Sequence, residues 1–183
     1  NQQQKVIEIG GREEYTTNNR MELQAAISAL SFLSNVKGQL SIVIYCDSSY
    51  LINGITKWVF GWRKNNWITT TKKSVENRDL WEKLMDAVKG KNIKWKQVEG
   101  HAGIAGNERC DEIATAFADG ETPELYSDVL ENYRIRNIFD IKENSVKSVT
   151  KSFSKAHSKA KVYSYVSEVD DKIETHKTWS ECE

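Results

Sequence analysis

The chain has 183 residues, and its 26 basic side chains balance its 26 acidic ones, so that the formal net charge is zero. Its hydrophobic content of 39% is enough for a folded core, and no apolar run approaches the roughly 20 residues of a membrane-spanning helix. Three cysteines without a CxxC pair favour a reducing, cytoplasmic setting. The composition therefore argues against a membrane protein and against a disulfide-stapled secreted domain, and predicts a soluble domain with an extension.

Hydrophobic patterning predicts an α/β fold for the first part of the chain. Strands are predicted at residues 5–11, 40–46 and 92–98, and helices at residues 19–35, from 48 onward, at 77–90 and at 107–118. This alternation is typical of α/β proteins. At the first helix we interpret Asn19 as the N-cap and Glu22 as the third residue of a capping box.

The pattern weakens after Gly120, which sets the predicted domain organisation. We predict a domain at residues 1–120, a helical extension at 121–141, a basic Lys/Ser-rich linker at 142–161 and a hairpin-forming segment at 162–183. The hairpin is expected to turn near Asp170 and Asp171.

Charge is distributed unevenly in spite of the overall neutrality. Residues 48–75 contain five Lys or Arg side chains and no acid, and residues 142–161 contain six lysines and one acid. Solvated loops are the simpler explanation of such segments, and a polyanionic partner is the functional one.

Three acids occupy comparable places in the predicted elements. Glu22 lies in the first turn of a helix on its apolar side, Asp47 follows a buried strand, and Asp111 lies in the first turn of the last helix. Each could serve only as a capping residue or as a favourable charge at a helix start. Together, without a nearby Lys or Arg in sequence, they favour a shared cation, and oxygen ligands suit Mg²⁺ or Mn²⁺. Two such ions about 4 Å apart would suit phosphoryl-transfer chemistry.

Two further features accompany the acids. His101 lies in the glycine-rich loop EGHAGIAG, where it is either a proton carrier or a plain surface histidine. The acid-free segment interleaves Trp58, Trp62 and Trp67 with Arg63 and Lys64. The tryptophans fit either a core helix with a basic edge or a platform for a nucleic-acid backbone.

Several runs of residues together resemble type 1 ribonuclease H. They are TTNNRMELQAA, CDSSYLINGITKW, WRKNNW, NRDLWEKL and KGKNIKWKQVEGHAGIAGNERCDEIA, in the family's order and with nearly its spacing. The resemblance implies the ribonuclease H-like mixed sheet flanked by helices. It also implies an endonuclease that hydrolyses the RNA strand of RNA–DNA hybrids with two divalent ions, Mg²⁺ or alternatively Mn²⁺.

The resemblance also implies roles for individual residues. Glu22, Asp47 and Asp111 match three of the family's four catalytic, metal-holding carboxylates, and His101 matches its mobile histidine. The remaining matches are to substrate-contacting positions: Asn18, Asn19 and Ser49 at the minor groove, Thr17 and Asn77 at a DNA phosphate, and Trp58, Trp62, Arg63, Lys64 and Trp67 in the basic protrusion. The family often has an amide where Ser49 stands.

The chain departs from the family pattern at its amino end. The family's first hairpin carries the first catalytic Asp, and nothing upstream of Lys5 matches it, so the chain as written is expected to be nearly or entirely inactive. Residues 162–183 resemble the start of a viroplasmin-like hybrid-binding module, which could also bind double-stranded RNA. A circular permutation that uses Glu168 or Asp170 as the missing acid is an alternative.

Two other classes of function remain open from the sequence. The protein could bind hybrids or double-stranded RNA without cleaving them, through the basic protrusion and the carboxyl-terminal segment. It could also be a structural or interaction domain in which the acids are incidental. An assay with a hybrid substrate separates the three possibilities. A nuclease cleaves the hybrid, a binding protein binds it without cleavage, and a structural domain does neither.

Overall fold

The computed structural model describes residues 4–36, 40–139 and 141, and the backbone of residues 146–147, 165–169 and 172–176. By its internal contacts the chain divides into two units, Asn1–Val149 and Thr150–Glu183. Among the described residues, no helix combines the length and the apolar character needed to cross a membrane.

The first unit alternates strands and helices, as the sequence predicts. In chain order its elements are β1 (Lys5–Ile7), α1 (Asn18–Leu33), β2 (Ser41–Cys46), α2 (Ser49–Asn53), α3 (Val59–Lys64), α4 (Arg78–Val88), β3 (Asn92–Val98), α5 (Ala105–Ala118), β4 (Ser127–Val129) and β5 (Val146–Lys147). A π-helical turn, Gly54–Trp58, joins α2 to α3, and a 3₁₀ turn, Leu130–Asn132, follows β4. The predicted mixed α/β fold is confirmed.

The strands form two separate groups in this unit. β2 and β3 run parallel, in a register that extends from Ser41 beside Asn92 to Cys46 beside Gln97. β5 pairs antiparallel with the end of β3, while β1 and β4 form an antiparallel pair of their own. Among the described strands, β2 has a neighbour on one side only. The carboxyl ends of β2 and β3 meet at one edge, which is where ligands bind in many α/β sheets.

The core lies between the sheet and the helices α1, α2 and α4. On α1, Leu23, Ala26 and Leu30 repeat every three or four residues and are buried, which makes one apolar stripe. They belong to one cluster with Ile42 of β2 and Trp81 of α4. Burial of each large side chain contributes about 1.5–3 kcal/mol, so this stripe fixes where α1 holds its polar residues.

A close packing contact fixes the π-helical turn against α4. Trp81 is fully buried, and a Cβ atom added to Gly54 would overlap the Trp81 indole ring. Only glycine therefore lets this turn approach α4 so closely. The contact positions α3, which continues from the turn.

The start of α1 differs from the prediction. The helix begins at Asn18, and its N-cap is Thr17, whose Oγ1 accepts a hydrogen bond from the Arg20 backbone N–H at 3.4 Å. The assignment of Asn19 as the N-cap is therefore wrong, and Glu22 lies one turn inside the helix. Thr17 takes the cap because its extended backbone and hydroxyl reach the first free N–H groups of the helix.

The prediction of a helix at residues 121–141 is wrong for its central part. That part forms strand β4 and a 3₁₀ turn instead. Tyr126 and Tyr133 pack their rings against each other with centroids 4.8 Å apart, and Tyr133 is 2% exposed. Pairing with β1 and burial of these rings are tertiary interactions, and they override the local helical pattern.

A buried ion pair holds this segment to β1 and α5. The guanidinium of Arg109 donates to both carboxylate oxygens of Glu8, at 2.7 and 2.9 Å. The Tyr133 hydroxyl and the Tyr126 backbone N–H also donate to Glu8, at 2.7 and 2.9 Å. Arg109 and these two hydrogen bonds lower the pKa of Glu8 to about 2, against the opposing effect of burial. One carboxylate thus joins three segments that are distant in sequence.

The described part of the second unit is a hairpin. β6 (Tyr165–Val169) and β7 (Lys172–His176) pair antiparallel, from Tyr165 beside His176 to Val169 beside Lys172. The predicted hairpin is confirmed. The predicted turn near Asp170 and Asp171 lies outside the described residues. The predicted linker at 142–161 also lies outside them, except for residues 146–147.

Candidate metal centre and nucleic-acid interface

Glu22 is the most strongly perturbed acid of the candidate site. It lies on α1, one residue before buried Leu23 and four before Ala26, and is partly buried itself. Burial raises the pKa of Glu22 to about 7, and the negative charges of Asp47 and Asp111 add to this effect. An acid in this state is unfavourable as a carboxylate unless a positive charge compensates it.

Asp47 directly follows β2, at the carboxyl end of the strand. Its Oδ2 accepts a hydrogen bond from Asn107 Nδ2 at 3.2 Å, and its backbone oxygen accepts one from Gln97 Nε2 at 3.5 Å. A Cβ added to Gly100 would lie 3.0 Å from Asp47 Oδ2. The absence of a side chain at Gly100 therefore lets the glycine-rich loop lie against the carboxylate.

Asp111 and His101 lie beside each other at the open side of the site. His101 Nδ1 is 3.4 Å from Asp111 Oδ2, and the two side chains are 67% and 43% exposed. This Asp111 oxygen is shielded from solvent and accepts no hydrogen bond among the described residues. Burial and the Asp47 charge raise the pKa of Asp111, while His101 opposes them.

Cys46 is a member of this cluster that the sequence analysis did not single out. Its thiol donates to Glu22 Oε2 at 3.9 Å, and its sulfur accepts from the Ser48 N–H at 3.3 Å. Burial, followed by the charge of Glu22, raises the pKa of Cys46 to about 12. Its position at the last residue of β2, directly before Asp47, was the available signal.

The side chains present fit a divalent cation. The potential ligand atoms of Glu22, Cys46 and Asp47 all lie within 4.8 Å of one another. Among the ion pairs of the described residues, none joins Glu22 or Asp47 to a Lys or Arg, and the one at Asp111 is with His101. Carboxylates that repel one another without a basic partner are suited to Mg²⁺ or Mn²⁺. A neutral thiol is a poor ligand for either ion, so the ligands would be the carboxylate oxygen atoms and not the Cys46 sulfur.

The predicted minor-groove residues lie at the starts of two helices, α1 and α2. Asn18 and Asn19 are exposed in the first turn of α1, and Ser49 is exposed at the first position of α2. The α1 and α2 helices pack against each other. Their first turns therefore present these three polar side chains to solvent.

Asn77 has its orientation set by its neighbours. Arg20 makes a bidentate ion pair with Asp79, at 3.0 and 2.8 Å, and also donates to Asn77 Oδ1 at 3.4 Å. Because arginine has only donors, the amide oxygen of Asn77 must face it, and Asn77 Nδ2 donates to the Tyr50 hydroxyl at 3.1 Å. Trp81 Nε1 donates to the same hydroxyl at 3.0 Å.

This network identifies Tyr50 as a residue that the sequence analysis missed. Its oxygen already accepts two N–H groups, so its own O–H must donate elsewhere. Asn77 also retains a second amide N–H. The Arg20 guanidinium, which contacts Asn77, connects this network to α1. The sequence offered little indication of this role, because the pattern around Tyr50 predicts only an ordinary apolar residue of a helix.

The tryptophans of the acid-free segment have unequal exposure. Trp58 is 40% exposed and packs against Trp62, with ring centroids 5.6 Å apart. Trp62 packs in turn on buried Trp81. Trp67 is 8% exposed and belongs to the core cluster, so little of its ring is open to a nucleic acid. Arg63 and Lys64 are exposed at the end of α3.

The fold and this site together define a class of protein: an α/β protein with a carboxylate centre at the carboxyl end of a parallel strand. Comparison with known proteins gives the family, because the sequence profile of the RNase H family matches residues 1–119. The chain belongs to the ribonuclease H family of enzymes.

Individual relatives agree with this assignment. The chain is similar to the ribonuclease H of Cyanothece sp., at 50% identity over 120 residues, covering 66% of this chain and 75% of the relative. It is also similar to the ribonuclease HI of Pasteurella multocida, at 50% identity over 107 residues, covering 58% and 68%. Among solved structures it resembles LC9-RNase H1, described as a type 1 RNase H with the type 2 active-site motif. That match has a TM-score of 0.55 at 27% identity and covers 68% and 74% of the two chains.

Proposed function

We propose that this protein is a metal-dependent endonuclease that hydrolyses the RNA strand of RNA–DNA hybrids. The observation that carries the proposal is the convergence of Glu22 and Asp47, with Asp111 near enough to perturb Glu22. Within the described part of the chain, no Lys or Arg forms an ion pair with any of the three. Family membership and the resemblance of the sequence runs supply the reaction class. The exposed polar residues of α1 and α2 supply a surface for the nucleic acid.

The three carboxylates would hold the cations. Bound Mg²⁺ or Mn²⁺, as one or two ions, would supply an activated water and would stabilise the oxygen that leaves. Asn107 keeps the Asp47 carboxylate oriented through its hydrogen bond to Oδ2. A side chain at Gly100 would crowd the same oxygen, because its Cβ would lie 3.0 Å away.

His101 would transfer a proton near the reacting phosphate. Its Nδ1 faces Asp111, which orients the ring, so Nε2 would exchange the proton with the substrate side. The high exposure of His101 and its position in a glycine-rich loop allow the ring to approach and leave.

A DNA phosphate would be held by the polar network at the other side of the surface. Asn77 Nδ2, Thr17 Oγ1 and the Tyr50 hydroxyl each have hydrogen-bonding capacity toward an anion. Arg20 sets the orientation of Asn77 and adds positive charge beside it. The predicted minor-groove contacts of Asn18, Asn19 and Ser49 lie between this phosphate and the metal centre in our proposal, where they would meet the 2′-hydroxyl groups of the RNA.

We further propose that full activity needs a fourth carboxylate on a strand that pairs with the unpaired edge of β2. The support is that β2 has one neighbour among the described strands, together with the resemblance to the family. Under this proposal the 183-residue chain alone binds hybrids but cleaves them poorly or not at all. The alternative, in which Glu168 or Asp170 replaces this acid, predicts cleavage that Glu168→Gln or Asp170→Asn abolishes.

The cleavage test uses the chain as it is and a chimera. In the chimera, the amino-terminal segment of the Cyanothece ribonuclease H is joined before Lys5. We expect Mg²⁺-dependent cleavage of the RNA in a labelled hybrid by the chimera, no cleavage of a DNA duplex, and loss of activity in the Asp47→Asn chimera. A chimera that is folded and binds the hybrid but never cleaves it would instead support a non-catalytic binding protein.

The carboxyl-terminal hairpin is proposed to begin a hybrid-binding module. Its support is the β6–β7 pairing together with the resemblance of the surrounding sequence. Removal of residues 150–183 should weaken binding to hybrid and to double-stranded RNA without changing metal dependence. Equal binding with and without residues 150–183 would contradict the proposal that this segment begins a hybrid-binding module.

A further inference from the structure

The π-helical turn and α3 together carry a second aromatic-basic surface that the proposed function does not use, and of its residues only Lys64 belongs to the basic protrusion implied by the resemblance. Phe60 is 60% exposed, and Lys57 and Lys64 lie three residues before it and four residues after it, both exposed. At this spacing the three side chains follow one side of the helix. We call these three residues the Phe60 face.

The Phe60 face is distinct from the tryptophan surface. Trp58 and Trp62 contact each other, and Trp62 also packs on buried Trp81. Phe60 lies two residues from each tryptophan, which is about half a helical turn, so it points away from them. It is not among the apolar side chains that pack on the core cluster.

Several features favour a ligand on this face. A single exposed apolar side chain needs no explanation by itself. Here, however, one lysine lies about one helical turn before Phe60 and another about one turn after it, and no acid occurs between residues 48 and 75. Lys57 is also steadied, because its Nζ donates to Asn53 Oδ1 at 2.7 Å. Beside the ring, a Cβ on Gly61 would meet nothing within 4 Å, so the surface is open to a flat group.

We propose that the Phe60 face binds an unpaired segment of nucleic acid that continues from the hybrid. A ring between cations suits a base that stacks while its neighbouring phosphates meet the lysines. In a duplex the base faces are already stacked on one another, so only an unpaired nucleotide offers a free face to Phe60. The inference rests on the proposed function, because the hybrid is taken as the ligand that brings this segment to α3.

The experiment compares blunt hybrids with hybrids that carry single-stranded extensions. Fluorescence anisotropy in EDTA measures binding of the 183-residue chain to a blunt hybrid and to hybrids with an extension of about eight nucleotides on either strand. For Phe60→Ala we expect roughly tenfold weaker binding to one extended hybrid and unchanged binding to the blunt hybrid. Phe60→Trp should retain the preference for the extension. Lys57→Ala should reduce the salt dependence for the extended hybrid by about 0.7 in slope.

The matched control is Ile68→Ala, which removes another apolar side chain from the same acid-free segment, 43% exposed. It should bind both hybrids as the wild type does. Equal affinity of Phe60→Ala and the wild type for every extended hybrid would overturn the inference. So would an equal loss on blunt and extended hybrids, or a preference for an acidic protein partner with no effect of the extension.

The two proposals fail in different ways. Binding of a free single-stranded oligonucleotide that depends on Phe60, without any binding of blunt hybrid, would retain the Phe60 face and contradict the proposed function. The opposite result is binding of the blunt hybrid and Mg²⁺-dependent cleavage by the chimera, with no effect of Phe60→Ala on the binding of extensions. It would support the proposed function and contradict the inference about the Phe60 face.

Discussion

At the scale of single residues, the fold shifts the pKa of two acids, Glu22 and Glu8, in opposite directions. Glu22 has a pKa of about 7 in the folded chain, above the ordinary value of 4.5. The folded state therefore favours its protonated form. As the pH rises from 4.5 to 7, ionisation destabilises the fold, and the penalty is complete above about pH 7.

Glu22→Gln removes this penalty, because glutamine does not ionise. In EDTA at pH 8 we expect the variant to be more stable than the wild type by up to about 3 kcal/mol, and the two should converge near pH 4.5. Urea unfolding at both pH values measures the difference. Mg²⁺ should reduce the gain, because a cation favours the wild-type carboxylate. An exposed control, Glu76→Gln, should be neutral, and a gain at pH 8 no larger than the control's would contradict the assignment.

Glu8 shows the opposite behaviour. Its side chain is 5% exposed and that of its partner Arg109 is 11% exposed. Since the pKa of Glu8 is lowered to about 2, its contribution to stability is present above pH 4.5 and is lost as the pH falls toward 2.

Glu8→Gln should destabilise the fold by about 3 kcal/mol at pH 7, because it leaves the largely shielded Arg109 charge with only the exposed Glu112 as an ion-pair partner among the described residues. The difference from the wild type should shrink between pH 4.5 and pH 2. Thermal or urea unfolding across this range tests both statements. A loss below about 1 kcal/mol at pH 7 would show that the pair is not structurally important.

At the scale of secondary-structure elements, the most specific packing contact is that of the π-helical turn with α4. Gly54→Ala would force a methyl group into the Trp81 ring, and overpacking of this kind costs about 1–3 kcal/mol or more. Gly61→Ala is the matched control, because a Cβ there meets open space within α3 and should be neutral or stabilising by about 0.5–1 kcal/mol. Urea unfolding of the two variants makes the comparison. Equal effects of both alanines would contradict the packing described here.

The same scale shows how much the sequence could predict. β2, β3, α4 and α5 follow from local periodicity and capping residues, and they place Asp47 and Asp111 at the ends of elements. The irregular segment after Gly120 could not be predicted in this way. Its conformation depends on Glu8, which lies more than a hundred residues earlier and accepts hydrogen bonds from Tyr126 and Tyr133.

Local signals were also insufficient for parts of the candidate site. The roles of Cys46 and Tyr50 depend on contacts with Glu22 and Asn77, which are distant in sequence. The burial of Trp67 was equally invisible, because a tryptophan among lysines fits a core position and a nucleic-acid platform alike. The sequence thus singled out the acids that we propose as the metal centre, but not the side chains that contact Glu22 and Asn77.

At the scale of the whole molecule, the central claim is that Glu22, Asp47 and Asp111 form one divalent-cation centre. Titration of the 183-residue chain with Mn²⁺, followed by the electron paramagnetic resonance signal of the free ion, tests this claim without requiring cleavage. We expect saturable binding that weakens below pH 7 as Glu22 takes up a proton, and that is largely lost in Asp47→Asn but retained in His101→Ala. Binding that is absent in the wild type, or is equally strong in Asp47→Asn, would contradict the account.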